Sequence, residues 1–281
     1  MAIRMIGLDL DGTLFDSRKR LTKYTRQVLE QAIAQGILIV PSTGRPRIGL
    51  PENLLEIPGI RYAVVANGSA IYDLKENRFL YQNCMDREAA ADLMRRTRRL
   101  GHTVQGAFLG EWGYMEAEDS VRIEQLPLVE EMKAYLRTSR HVVESLPDLI
   151  RTNQDAPQKL VLMFLLNQDG KAVDQEEAER IAAQYQQFSF MSGGVGNIEI
   201  IDRHAGKGTA LLELGKLLGI ARKEIMAVGD SENDLDMIRK AGLGVAMANG
   251  EEIVKKYADA ITASNDEDGC AKAIETYAMQ R

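Results

Sequence analysis

The chain has 281 residues, of which 45% are hydrophobic and 27% are charged, a composition typical of a soluble globular protein with one large or two ordinary domains. The formal net charge is −6 without a long basic run, which argues against nucleic acid as the main partner. The longest wholly apolar run, residues 160–166, is too short to span a bilayer. We therefore expect no membrane segment, and the first residues lack the apolar length of a signal peptide.

The two cysteines, Cys84 and Cys270, lie far apart in the sequence. They form neither a disulfide framework nor a CxxC metal site. A reducing, cytoplasmic setting fits this usage.

The first predicted element is a buried strand at residues 5–8, an apolar run that ends at Asp9 and Asp11. Side chains at i and i+2 of an extended strand share a face, so two carboxylates would lie together there. Such a pair disfavours joint ionisation unless a cation is present, and Mg²⁺ is the hard divalent cation that prefers oxygen ligands. Taken alone, the stretch also fits a surface turn, because Asp and Gly are ordinary turn residues.

The next elements alternate between helix and strand. Thr22 is a predicted helix N-cap and Gly36 a predicted helix end. A buried strand at residues 37–40 leads to Ser42-Thr43-Gly44-Arg45. Residues 62–66 form a further strand, and residues 70–73 and 79–83 form a hairpin. This alternation predicts an α/β fold with a doubly wound parallel, Rossmann-like sheet.

From residue 85 the pattern changes to helices mixed with hairpin strands, which predicts an inserted α+β domain of roughly 110 residues, enough for its own core. We place this domain at residues 85–194 and the core at residues 1–84 and 195–281. The core is predicted to resume with a strand at residues 198–201. Later core strands lead to Gly229-Asp230-Ser231-Glu232-Asn233-Asp234, and Lys207-Gly208 precedes a helix.

Four stretches resemble, in order, the motifs of the haloacid dehalogenase (HAD) phosphohydrolase superfamily. They are Asp9-Leu10-Asp11-Gly12-Thr13, Ser42-Thr43-Gly44-Arg45, Lys207-Gly208 and the Gly229–Asp234 stretch. Their spacing is similar to that of the Cof-type subfamily, in which a type IIB cap lies between the second and third motifs. The resemblance implies a Rossmann-like core with a cap that selects the leaving group.

The resemblance also implies the roles of individual residues. Asp9 is the expected nucleophile, and Asp11 is the expected general acid and base. Mg²⁺ is the expected cofactor, held by the carboxylates of Asp9 and Asp230 and the backbone carbonyl of Asp11. Asp234 is expected to support these ligands without binding the metal itself. The residues expected to bind the phosphoryl group or the substrate are Leu10, Thr43, Gly44, Arg45, Lys207 and Asn233.

We therefore predict a Mg²⁺-dependent phosphatase that acts on a small phosphorylated metabolite, with a sugar phosphate favoured and the oligomeric state open. Glycine placement suggests that Gly193-Gly194 and residues 106–114 present loops toward the substrate. A phosphomutase of the same superfamily remains an alternative. A receiver-like signalling module also uses an acidic cluster, Mg²⁺ and a lysine, but it needs neither Asp11 nor a large insert.

Overall fold

The computed structural model describes residues 2–192 and 196–279, and the chain forms two compact units. The first unit comprises the residues up to Gly44, Leu50–Gln82 and the residues from Gly206 onward. The second unit comprises Arg45–Gly49 and Asn83–Ala205. No helix in the described part of the chain is both long enough and apolar enough to cross a membrane.

The elements are numbered in chain order. The strands are β1 (Met5–Leu8), β2 (Leu38–Pro41), β3 (Tyr62–Val65), β4 (Ala70–Asp73), β5 (Arg78–Gln82), β6 (Thr103–Leu109), β7 (Trp112–Glu116), β8 (Arg140–Val143), β9 (Pro157–Phe164), β10 (Phe188–Ser192), β11 (Asn197–Asp202), β12 (Ile225–Gly229), β13 (Leu243–Ala246) and β14 (Ala260–Ile261). The α-helices are α1 (Lys23–Ala34), α2 (Glu52–Leu55), α3 (Arg87–Arg98), α4 (Ala117–Arg122), α5 (Glu130–Thr138), α6 (Leu146–Thr152), α7 (Gln175–Ala182), α8 (Lys207–Leu218), α9 (Leu235–Lys240), α10 (Glu252–Tyr257) and α11 (Gly269–Tyr277).

The first unit is built on a parallel sheet with strand order β14-β13-β12-β1-β2. β1 is buried on both faces: Ile6 and Leu8 pack in the cluster formed with α1 and α11, and Met5 packs in the cluster formed with α8 and α9. This arrangement confirms the predicted doubly wound parallel sheet. Because β2, β1 and β12 are neighbours, the residues that follow these strands meet at one edge of the sheet.

A second, smaller sheet of the first unit consists of the antiparallel strands β3, β4 and β5. The predicted hairpin is confirmed as β4 and β5. β3, in contrast, is not a full member of the parallel sheet, and it touches the end of β2 through a single parallel bridge between Ser42 and Val64. The bridge holds the residues after β2 in place.

Two glycines bring α8, whose first residue is Lys207, close to its neighbours. A Cβ on Gly7 of β1 would lie 2.3 Å from a methyl carbon of Leu211, and a Cβ on Gly208 would lie 2.3 Å from the carbonyl oxygen of Asp236. The missing side chains therefore allow α8 to pack closely against β1 and α9. This packing fixes the start of α8 near the ends of β1 and β12.

The second unit contains a sheet with strand order β10-β11-β9-β6-β7-β8. All neighbouring pairs are antiparallel except β7 and β8, which are parallel. Its hydrophobic core unites one face of this sheet with residues of α3, α6 and α7. The unit is therefore the predicted α+β insertion.

The boundary of the insertion differs from the prediction. The strand predicted to begin the core again, residues 198–201, is β11, which pairs with β9 and β10 in the second unit. Ile198 and Ile200 pack into the core of that unit. The prediction was wrong because an apolar strand pattern does not encode which sheet the strand joins. The second unit also contains Arg45–Gly49.

The close packing of α8 yields a stability prediction. In Gly208→Ala the new methyl group would meet the backbone of Asp236 and Met237, which cannot move as a side-chain tip can. Alanine favours helices by up to about 1 kcal/mol, but we expect this overpacking to lower the free energy of unfolding by about 2 kcal/mol. Urea denaturation measures the change.

Leu217→Ala on the same helix is the matched control, because Leu217 is 58% exposed. This control should change the free energy of unfolding by less than about 1 kcal/mol. Equal stability of Gly208→Ala and the parent protein would contradict the proposed role of the glycine.

Candidate active site

The loop after β1 turns sharply against Asp230. Gly12 has a φ of +92°, and a Cβ there would lie 2.5 Å from Oδ2 of Asp230. The hydroxyl of Thr13 donates a hydrogen bond of 2.8 Å to Oδ1 of Asp230. Glycine is therefore required at position 12 both by the backbone conformation and by the space. The turn thus brings the loop that follows β1 against Asp230, which follows the neighbouring strand β12.

A buried lysine joins the carboxylates of the site. Nζ of Lys207 lies 2.7 Å from Oδ1 of Asp9 and 2.6 Å from Oδ1 of Asp234, and its side chain has no exposed surface. Nζ also donates a long hydrogen bond of 3.4 Å to Oδ1 of Asn233. A buried ammonium needs such partners to offset its lost hydration. On balance Asp234 and Asp9 raise the pKa of Lys207, although desolvation opposes them more strongly than either acts alone.

Asp234 organises the loop after β12. Its Oδ1 accepts from Lys207, and its Oδ2 accepts from the backbone N–H groups of Asp230 at 2.9 Å and Ser231 at 3.1 Å. A Cβ on Gly229 would lie 2.5 Å from the Cβ of Asp234, so glycine leaves room for this arrangement. Both oxygens of Asp234 thus hold the loop and Lys207 by hydrogen bonds.

The carboxylates of Asp9, Asp230 and Asp234 form a compact acidic group. Each offers an oxygen atom, and these atoms lie within 4.8 Å of one another. Burial raises the pKa of Asp230 to about 6, with the charge of Asp234 adding to the effect. Burial also raises the pKa of Asp9, as do Asp234 and Asp230, while Lys207 opposes them. Three crowded carboxylates around one ammonium are a donor set that fits a divalent cation such as Mg²⁺.

Asp11 does not belong to that acidic group. Its Oδ1 lies 2.9 Å from Nζ of Lys19, a residue of the following loop. The carbonyl of the preceding residue, Leu10, accepts from the N–H groups of Leu14 at 3.1 Å and Phe15 at 2.9 Å. These bonds give the segment after Asp9 its compact turn.

Thr43 follows β2 beside the end of β1. It is buried, its N–H donates to the carbonyl of Val64 at 2.9 Å, and its own carbonyl accepts from the N–H of Asn67 at 3.0 Å. Gly44 is the last residue of this segment in the first unit. The backbone around Thr43 is thus fixed from the neighbouring strand.

Arg45 lies in the second unit, unlike the other predicted site residues. Its guanidinium carbon is 4.9 Å from the centre of the Tyr135 ring, and Nη1 donates to the carbonyl of Gly49 at 3.3 Å. The structure therefore joins Asp9, Lys207, Asn233, Asp230 and Asp234 in one network, and it assigns Arg45 to a different unit.

Two asparagines that the sequence did not single out hold the loop after Asp11. Nδ2 of Asn249 donates to the carbonyl of Gly12 at 2.8 Å, and its Oδ1 accepts from the N–H of Asn265. Nδ2 of Asn265 donates to the carbonyl of Phe15 at 3.0 Å. In the sequence, Asn249-Gly250 indicates only a turn, because nothing local links it to a loop more than 230 residues earlier.

The fold and the site together define a class of protein. A doubly wound core that gathers carboxylates and a buried lysine at the carboxyl edge of its sheet is the arrangement implied for a HAD-like hydrolase. The family model of haloacid dehalogenase-like hydrolases matches residues 6–274. The chain therefore belongs to this family, which confirms the resemblance of its motifs.

Similar proteins cover nearly the whole chain. Phosphatase YwpJ of Bacillus subtilis (strain 168) is 29% identical, over 97% of this chain and 99% of the relative. The 5-amino-6-(5-phospho-D-ribitylamino)uracil phosphatase YcsE of the same strain is 27% identical, over 99% and 96%. The structure of a haloacid dehalogenase-like hydrolase from B. subtilis aligns with a TM-score of 0.82 and 28% identity, over 98% and 100%. These likenesses confirm the fold class and support the predicted enzyme class, a phosphatase.

The raised pKa of Asp230 predicts how the stability of the metal-free protein depends on pH. The folded protein keeps the proton of Asp230 up to about pH 6, whereas the unfolded chain loses it near the ordinary value of about 4. The folded state therefore holds this proton more tightly in this window, and the contribution of Asp230 to stability should fall as the pH rises from about 4 to 6, by on the order of 2–3 kcal/mol.

Denaturation with a chelator present, at several pH values, tests this for the parent protein and Asp230→Asn. The difference between the two curves reports the titration of Asp230 together with its effect on the pKa of Asp9, and it removes the contributions of distant acids. If the stability of the two proteins changed with pH in parallel across this range, the raised pKa of Asp230 would be contradicted.

The anchoring of Gly12 predicts that Asn249→Asp impairs activity. The variant keeps the oxygen that accepts from Asn265 but turns a second oxygen toward the Gly12 carbonyl, in place of a donor. We expect kcat/KM to fall about tenfold or more, as the loss of a hydrogen bond worth 1–2 kcal/mol implies. Steady-state phosphate release measures it.

Asn167→Asp makes the same chemical change in the second unit, where Oδ1 of Asn167 accepts from backbone N–H groups and can still do so. Its activity should stay close to that of the parent protein. A similar loss in both variants would indicate that charge, not the Gly12 contact, is responsible.

Proposed function

We propose that this protein is a Mg²⁺-dependent phosphatase that hydrolyses small phosphorylated metabolites through an aspartyl-phosphate on Asp9. The observation that carries the proposal is the contact of buried Asp9 with Lys207 beside Asp230. A phosphate monoester is a dianion, so an attacking carboxylate needs nearby positive charge and alignment. Lys207 supplies one such charge.

In the first step, a carboxylate oxygen of Asp9 attacks phosphorus while the bond to the leaving oxygen breaks. Asp11 donates a proton to that oxygen as it departs. The phosphoryl oxygens bind to the hydroxyl of Thr43 and the N–H groups of Leu10 and Gly44, with Lys207 and Asn233 beside them. The product is a mixed anhydride between Asp9 and phosphate, and the alcohol leaves neutral.

In the second step, water attacks the phosphorus of the aspartyl-phosphate. Asp11 takes the proton of this water, and the carboxylate of Asp9 is the leaving group. Asp9, Asp230 and the carbonyl of Asp11 would hold Mg²⁺, which when bound neutralises charge between the phosphoryl group and the carboxylates. Asp234 keeps Lys207 and the loop carrying Asp230 in place throughout.

The second unit is proposed to select the leaving group, with Arg45 as a substrate contact. The relative named as a phosphatase of a phosphoribitylamino compound supports a small phosphorylated metabolite as the substrate, and we favour a sugar phosphate.

Gly193 and Gly194, expected near the substrate, lie outside the described residues. The absence of a disulfide pattern in the sequence favours the cytoplasm as the site of action.

Phosphate release from p-nitrophenyl phosphate, with Mg²⁺ and with a chelator, tests the proposal. The parent protein should turn over only with Mg²⁺, and Asp9→Asn should lose at least about a thousandfold in kcat because it lacks the nucleophile. Asp86→Asn, at a helix N-cap of the second unit, makes the same change away from the site and should remain active.

Metal-independent turnover, or an active Asp9→Asn variant, would contradict the proposal. A phosphomutase would instead need a bisphosphate activator and release little net phosphate.

A further inference from the structure

The loop after Asp11 places a lysine directly on the proposed general acid. Nζ of Lys19 donates to Oδ1 of Asp11 at 2.9 Å. The Lys19 side chain is half exposed and that of Asp11 about one-third exposed. Exposed ion pairs usually stabilise a fold only slightly, so this pair has little value for stability alone. Because one partner of the pair is the proposed general acid Asp11, the contact calls for a functional explanation.

The backbone of Lys19 is in a conformation that residues with a Cβ rarely adopt. Its φ is +58°, in the left-handed region that usually selects glycine or asparagine. Such conformations persist where the surrounding structure fixes them, and they are common at functional sites. A lysine in this position indicates that its side chain contributes something that glycine could not.

A buried aspartate fixes the turn that carries Lys19. The carbonyl of Asp16 accepts from the N–H of Lys19 at 2.9 Å, and its Oδ1 accepts from the N–H groups of Arg18 and Arg20 at 3.0 and 2.8 Å. The guanidinium of Arg20 donates twice to Oδ2 of Asp16. The direction in which the Lys19 side chain leaves the turn is therefore set by this local network.

The C-terminal segment of the first unit fixes the whole loop from the other side. Asn249 holds the carbonyl of Gly12, Asn265 holds that of Phe15, and Oδ1 of Asp266 accepts from the N–H of Ser17 at 2.8 Å. These bonds tie the loop at three points between Asp11 and Lys19. The contact between the two side chains thus joins two well-anchored parts of the backbone.

We infer that Lys19 is a positioning residue for Asp11, holding its carboxyl group in the orientation from which it donates a proton to the leaving oxygen. This inference rests on the proposed function. The ammonium contacts Oδ1 at 2.9 Å, which leaves Oδ2 as the oxygen that passes a proton to the leaving oxygen in the proposed first step. As the phosphorus–oxygen bond breaks, its electron pair goes to the leaving oxygen, and the proton on Oδ2 neutralises that oxygen.

The inference predicts a dependence on the leaving group that a structural role would not produce. Phenol is a poorer leaving group than p-nitrophenol, so phenyl phosphate needs proton donation more than p-nitrophenyl phosphate does. The two esters have nearly the same shape. A misplaced Asp11 should therefore slow phenyl phosphate more.

The test compares kcat/KM of Lys19→Met with that of the parent protein on both esters, with Mg²⁺ present. The loss should be at least about tenfold greater for phenyl phosphate than for p-nitrophenyl phosphate. Lys19→Gly removes the same ammonium while relaxing the left-handed backbone, and it should show the same selective loss. Thermal unfolding of both variants checks that they fold.

Arg18→Met is the matched control, because it removes a positive charge from the adjacent, exposed position of the same turn. It should leave the ratio of the two rates unchanged. In a double-mutant cycle on p-nitrophenyl phosphate, Lys19→Met should add no further loss to Asp11→Asn. Equal losses on both esters, a changed ratio in Arg18→Met, or multiplying losses in the cycle would overturn the inference.

The two proposals fail in different ways. An inactive parent protein, or an active Asp9→Asn variant, would refute the phosphatase function itself. A Mg²⁺-dependent parent protein and an inactive Asp9→Asn variant, together with a Lys19→Met variant that shows no selectivity for the leaving group, would refute only the role of Lys19.

Discussion

The buried ammonium of Lys207 is the contact on which the arrangement of the site depends. It bridges Asp9, which follows β1, and Asp234, which lies after β12. Asp9 lies 198 positions before Lys207 in the chain, and Asp234 lies 27 positions after it. All three side chains are nevertheless buried. Removing the lysine would leave two carboxylates without water or a counter-charge, which is costly in a protein interior.

The same contact explains why the surrounding backbone is so tightly packed. α8 brings Lys207 close to the sheet only because Gly7 and Gly208 lack side chains. On the opposite side, Gly12 and Gly229 make room for Asp230 and Asp234. The excess of carboxylate over ammonium charge that results favours the binding of a divalent cation and disfavours joint ionisation of the carboxylates without one. Folding and the proposed chemistry therefore place opposite demands on the same few residues.

Local sequence signals correctly predicted elements that depend on neighbouring residues, such as a capped helix start or an apolar strand. The Thr22 hydroxyl accepts from the N–H of Thr25 and starts α1, as its N-cap position indicated. The apolar run before Asp9 forms β1 over its whole predicted length. Asp9 and Asp230 come together because the ends of neighbouring parallel strands meet, whereas Lys207, the first residue of α8, was expected at the site only from the resemblance of the motifs.

Long-range partners could not be predicted in this way. β11 has a pattern that fits either sheet, and only its pairing with β9 and β10 assigns it to the second unit. Asn249 contacts Gly12 across almost the whole chain, and the contact of Lys19 with Asp11 depends on a left-handed residue that no local propensity favours. These contacts depend on tertiary structure, so sequence patterns alone did not reveal them.

The central claim is that Asp9 carries the phosphoryl group during turnover. The most direct test is to mix the protein with Mg²⁺ and excess p-nitrophenyl phosphate, quench with acid within the first turnover, and map phosphorylated peptides by mass spectrometry. We expect a transient phosphoryl group on the peptide that contains Asp9, and we expect none on the same peptide of Asp9→Asn. Turnover with no modified Asp9 at any quench time, or with another residue modified, would contradict it.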